Sequence, residues 1–206
     1  MAAYGQPRSA DPGTHKPGGG SRAPAAPKDP VAAGGRETAR DPAAAARDIC
    51  LRLLTARPRS RAELAAALGR KGIEPEVADR VLGRLSDVGL IDDSAFAEMV
   101  VQSGHRHRLM GRRALSAELR RRGVADDTAV EAVAAIDADD EEQAARQLVE
   151  RKLRSMSALD DPTRIRRLVG MLARRGYSEG LAYRVVRDAL REQGSSAELP
   201  DPEHVT

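Results

Sequence analysis

The 206-residue chain is short of the side chains on which most enzymes and many nucleic-acid readers depend. Its one cysteine, Cys50, can close no internal disulfide and provides no thiolate cluster for a metal. Tryptophan is absent, and the aromatics are Tyr4, Phe96, Tyr177 and Tyr183. That is too few for the row of stacking rings that a dedicated single-strand binder sets along a basic groove. No stretch approaches the roughly eighteen apolar residues of a membrane span, and none near the start reads as a secretory signal. There is no glycine-rich phosphate loop, no nucleophile elbow and no Cys/His pairing. His105 and His107, two residues apart, leave a helix on different sides, and nothing nearby completes a metal site. The expectation is a cytoplasmic protein with no cofactor, no metal and no catalytic centre, and with no attachment to a membrane.

What the chain does have is charge, sorted by sign. A formal net charge of +3 averages +6 over residues 101–123, −8 over residues 124–142 and +5 over residues 164–176. Such segregation points to a polyanion, to a partner with complementary patches, or to both.

The second feature is repetition. GRRALSAELRRRGV, from Gly111 to Val124, reads as a short helix with Leu115 and Leu119 on its buried side and Gly123 as its left-handed stop. ELAAALGRKGI repeats the design with Leu64, Leu68 and Gly72, and IRRLVGMLARRGY repeats it with Leu168, Leu172 and Gly176. The glycines are 51 and 53 residues apart, and basic residues precede each of them. Nine, ten and thirteen residues after each glycine stand Val81/Leu82/Leu85, Ala132/Val133/Ile136 and Val185/Val186/Ala189, all small or apolar.

Residues 1–41, with six prolines, seven glycines and almost no large apolar side chain, are expected to be disordered, as are residues 193–206. Repeat one then spans 42–91. Asp41-Pro42 opens a helix carrying Ala46, Ile49, Cys50 and Leu53, with Cys50 as a buried, inert thiol. Ser60 to Glu63 is a capping box, and Pro75 starts a third helix with the stripe Val77, Val81, Leu82, Leu85 and Val88. Repeat two, 92–138, is read as a long helix with Phe96, Val100 and Leu109 inward, weakened at Gly104 and Gly111. The Leu115/Leu119 helix follows, then one with Val130, Val133 and Ile136. Repeat three, 139–192, starts from the acidic cap Asp139 to Glu142 and runs through Ala145, Leu148, Val149, Leu153 and Met156. Its second helix starts at Asp161-Pro162, and its last carries Leu181, Val185, Val186 and Leu190. No segment alternates with period two between hairpin turns. The predicted fold is all-α: an elongated array of three tandem three-helix repeats with a disordered N-terminal extension. The rival architecture is one compact helical bundle.

The candidate contact residues are Arg106, Arg108, Arg112, Arg113, Arg120, Arg121, Arg122, Arg166, Arg167, Arg174 and Arg175. A guanidinium offers a planar fork to phosphate or carboxylate, and clusters where each second helix ends would form a row of contacts. The competing reading is that they solvate exposed faces, complement helix dipoles or pair with neighbouring acids.

The ordered part, from about Ala46 to Leu190, resembles the RecX regulatory proteins of bacteria. The resemblance is carried by SRAELAAALGRKGI and VLGRLSDVGLIDDSAFAEMVV, by GRRALSAELRRRGV, and by the RRGY segment with its closing helix. It is most specific from Gly89 to Val124, and departs from the family over SGHRHRLM, Ser103 to Met110. The resemblance implies a monomeric, non-enzymatic regulator that binds the RecA recombinase and the RecA–DNA filament. Such a regulator would restrain strand exchange, ATP hydrolysis and co-protease activity in DNA repair and the SOS response. Auxiliary, non-specific DNA contact through the arginines fits that picture. The alternative is a winged-helix transcription factor, in which "GLI" at Gly89 to Ile91 would lead into a two-stranded wing.

Overall fold

Asp41 caps the first helix, its carboxylate accepting the Ala43 N–H at 3.0 Å while Pro42 takes the first helical position. The structure is a computed structural model that describes residues 41–194. Among these the chain forms nine α-helices and no strand. The disorder expected on either side lies outside the described residues, apart from the few positions at its edges.

Repeat one consists of α1 (Pro42–Ala56), α2 (Arg61–Gly69) and α3 (Pro75–Asp87). Repeat two consists of α4 (Asp93–Arg108), α5 (Arg112–Arg121) and α6 (Asp126–Ala134), and repeat three of α7 (Ala138–Leu153), α8 (Asp161–Arg174) and α9 (Glu179–Glu192). Polar side chains start six of the nine helices, and α3, α5 and α6 start without a side-chain cap: Ser60 caps α2 by accepting from Glu63 N at 3.1 Å, and Asp92 caps α4 by accepting from Ala95 N at 2.9 Å. The second helix of each repeat stops in the same way. Gly72, Gly123 and Gly176 have φ of +74°, +74° and +85°. The next residue then donates back to the leucine carbonyl of the last turn, Ile73 to Leu68, Val124 to Leu119 and Tyr177 to Leu172.

Each repeat builds its own core. All nine positions placed nine, ten and thirteen residues after the glycines are buried, and so are both leucines of every second helix. Three separate apolar clusters favour tandem repeats over one interleaved bundle. Burying each of those leucines contributes about 2 kcal/mol. Cys50 is fully buried, and burial pushes its thiol pKa up, away from the reactive thiolate.

Several expectations need correction. Val88 and Val130 are 68% and 62% exposed. Val88 is the C-cap of α3, where the chain is already leaving the helix surface, and the buried stripe of α6 is Ala129, Ala132 and Val133. The first helix of repeat two does not continue toward Gly111. It ends at Arg108, because Leu109 turns left-handed with φ +48°, and Gly104 is a buried position within the helix. Leu109 itself packs into the core of repeat three. Helix α7 ends at Leu153, so Met156 is buried from the following turn, and its N-cap is Asp137 rather than the acids that follow. The wing required by a winged-helix reader is missing among the described residues, since Ile91 leads into α4.

Neighbouring repeats join through backbone brought into near contact. Gly111 N donates to Arg175 O at 2.9 Å and Arg113 N to Gly176 O at 3.1 Å. At the other junction Ser60 Oγ donates to Arg122 O, and Arg61 N donates to Asp93 Oδ1 at 2.8 Å. Tyr177, 1% exposed, donates its hydroxyl to Leu109 O at 3.0 Å, and burial raises its pKa to about 12. An unfolded tyrosine ionises near pH 10. The folded pKa is the higher one, so this contribution is intact below about pH 10 and is lost as pH rises toward 12. The lost contribution is about 2 kcal/mol. Urea melts at pH 9 and pH 11.5 should register that loss, and Tyr177→Phe should remove this part of it.

Candidate polyanion-binding surface

The predicted arginines divide into two groups. Those of the 106–122 cluster are mostly spoken for within the protein. Arg112, where α5 begins, donates its main-chain N–H to Glu141 Oε1 at 2.9 Å and its guanidinium to Ile136 O. Its Nε is 3.4 Å from Glu141 Oε2. Glu141 is thereby a buried acid joining repeat two to repeat three. Arg120 pairs with Asp126 at 2.9 Å, and Arg121 pairs with Glu118. Arg122 reaches Glu118 at 3.0 Å and Glu63 of repeat one at 3.7 Å, and lies 5.7 Å from the centre of the Phe96 ring. Burial raises the pKa of Glu118, yet hydrogen bonds from Arg122 and Arg121 outweigh this and leave it below the ordinary glutamate value. Arg113 is exposed and has no ion pair among the described residues, and Arg106 stands in a cleft with Glu98, Glu131 and Asp140.

The second group converges. Arg108, at the end of α4, and Arg174 and Arg175, at the end of α8, line a cleft of about 520 Å³ with His107 and Arg151. Arg175 donates to Arg108 O, which fixes the two chain ends together. Arg174 is shared with a second cleft of about 380 Å³, where Arg166 and Arg167 of α8 meet Lys152 of α7 over Met156 and Met171. Two adjoining clefts therefore present Arg108, Arg151, Lys152, Arg166, Arg167, Arg174 and Arg175, and no acidic residue lines either. Among the described residues, and apart from Arg151, which donates to Gln147, none of these cations uses its side chain in an ion pair or hydrogen bond to another side chain. Sequence reasoning missed Arg151 and Lys152. Their signal in the sequence is a basic pair in the last turn of α7. Among the described residues lining it, His107 is the one ring, with no Phe, Tyr or Trp to add a stacking row, so the surface suits a phosphate backbone read without regard to sequence.

The fold defines the class: among the described residues, an all-helical protein of three tandem three-helix repeats. Family models describe the same three units in order: "RecX, first three-helix domain" matches residues 46–85, the second domain residues 92–133 and the third residues 139–186. The chain belongs to the RecX family. It is 51% identical over 170 residues to the regulatory protein RecX of Thermobifida fusca, covering 82% of this chain and 92% of that one. It is 53% identical over 162 residues to that of Streptomyces coelicolor, covering 79% and 86%. The fold is also that of the crystal structure of RecX from Lactobacillus salivarius, with a TM-score of 0.66 at 19% identity over 75% of this chain and 97% of that one. The relatives' name makes this a family of regulatory proteins.

Proposed function

We propose that this protein binds the RecA recombinase and its filament on DNA and restrains strand exchange, ATP hydrolysis and co-protease activity. It would act in the cytoplasm as a monomer during DNA repair and the SOS response. The observation that carries the reading is the ordered match of all three repeats to the RecX domains. The twin basic clefts support an auxiliary contact to DNA phosphates, made by Arg108, Arg166, Arg167, Arg174 and Arg175 together with Arg151 and Lys152. The better-paired Arg112, Arg120, Arg121 and Arg122 contribute chiefly to internal cohesion, and Arg106 and Arg113 to protein contacts. A protein without chemistry of its own regulates an ATPase by binding one arrangement of its subunits more tightly than another. The test is a titration of RecA filaments followed by ATPase and filament length together. Turnover should fall at sub-stoichiometric to equal ratios, and full turnover at saturation would remove the reading.

A further inference from the structure

The first and third helices of each repeat lie side by side, and the seam between them is finished differently in repeats two and three. In repeat three it is closed by ion pairs. Arg184 of α9 reaches Glu142 of α7 at 3.0 Å, and Arg146 of α7 reaches Glu142 at 3.1 Å, Asp188 at 3.6 Å and Glu192 at 3.5 Å. The hydrogen bonds from Arg146 and Arg184 hold the Glu142 carboxyl below its usual range.

In repeat two the cation is missing. Arg184 stands eight residues after its capping glycine, and the residue eight after Gly123 is Glu131. The position of Asp188 is taken by Ala135. The seam between α4 and α6 is an open cleft of about 580 Å³ instead. Its floor includes buried Val101, Ala132 and Ile136, and its rim carries Glu98, Glu131 and Asp140. None of these three acids has an ion-pair partner among the described residues, and the basic groups facing the cleft are Arg106 and His105 at its end. The cleft therefore combines apolar contact with an excess of carboxylate, where the sister seam holds an arginine of its own.

We propose that the α4–α6 seam is a docking groove for a protein segment that presents an arginine or lysine flanked by apolar side chains. The cation would take the place that Arg184 fills in repeat three, bridging Glu131 and Glu98. Its apolar neighbours would cover Val101, Ala132 and Ile136. Charge-assisted hydrogen bonds would set the orientation of the segment, and apolar burial would supply most of the affinity.

The probe is an alanine-based helical peptide of about fifteen residues with arginine and leucine on one face, titrated into the isotope-labelled full chain and followed by amide chemical shifts. Saturable shifts confined to α4, α6 and the start of α7 are expected. Affinity should fall about tenfold when the peptide's arginines become glutamine, and by a similar factor in Glu131→Arg, which supplies the missing cation from within. Glu131→Gln gives a milder variant that removes the carboxylate without adding a bridge. Absence of shifts in the seam, equal affinity for the glutamine peptide, or full affinity in a folded Glu131→Arg protein would overturn the proposal. The peptide binds or fails to bind whether or not the chain engages a recombinase, so the two readings fail separately.

Discussion

Replacing Arg166, Arg167, Arg174 and Arg175 together with glutamine should lower affinity for DNA at low salt by about a hundredfold or more, while the helical signal stays unchanged and the melting temperature falls only slightly, through loss of the Arg175 bond to Arg108 O. Each cation that neutralises a phosphate releases a condensed counterion and adds roughly 0.7 to 0.9 to the slope of log affinity against log salt. Losing four should flatten that slope by about three. All four side chains are exposed, and the two clefts that they share contain no acid for them to hold in place. The comparison is a triple variant in which Arg120, Arg121 and Arg122 become glutamine. Those three are engaged with Asp126, Glu118 and Glu63, so their loss should change the slope less and lower stability by about 1 kcal/mol. Anisotropy titrations of labelled DNA over a salt series separate the two. A larger slope change in the second variant than in the first would return the contact to the 106–122 cluster.

The largest loss of stability should come from a single methyl group. A Cβ on Gly176 would overlap the main-chain N and Cα of Ala114, and the φ of +85° is itself unfavourable for alanine. Left-handed backbone costs an L-residue about 1 to 2 kcal/mol, and a clash with backbone can be relieved only by parting the repeats. Gly176→Ala should therefore cost about 3 kcal/mol or more in urea unfolding, and should separate the melting of repeat three from the rest. Gly72 has nearly the same φ, +74°, with nothing within 4 Å of its added Cβ. Gly72→Ala should cost about 1 kcal/mol, the conformational part alone. Equal losses at the two positions would mean that the junction yields more readily than its main-chain hydrogen bonds imply.

These two sites mark what a linear reading of the chain can and cannot reach. Glycine stops, capping residues and leucine spacing are local, so the helices, the repeat period and the nine recurring core positions follow from sequence. The misplaced Val88 and Val130 are local errors as well. Spacing alone does not say where a chain leaves the helix surface, or which edge of an apolar stripe faces out. The fate of the arginines is of another kind. The partners of Arg112 and Arg122 include Glu141 and Glu63, acids that belong to other repeats and meet them only once the repeats have stacked. The same distance hid the double duty of Ser60, which caps α2 and also donates to Arg122 O sixty-two residues away. Arg108, Arg174 and Arg175 were all legible as basic helix ends, but only stacking gathers them with Arg151 into one cleft.

Leu109 has a consequence for how the protein is made. It turns left-handed at the close of α4, its side chain belongs to the core of the next repeat, and its carbonyl is held by a hydroxyl sixty-eight residues further on. A nascent chain leaving the ribosome carries that leucine without its full cover until the third repeat has been synthesised. A product that stops early, after two repeats, would retain an apolar knob in a strained turn, a ready signal for chaperones and proteases. Completion of the last repeat is thus what retires the mark of an unfinished molecule.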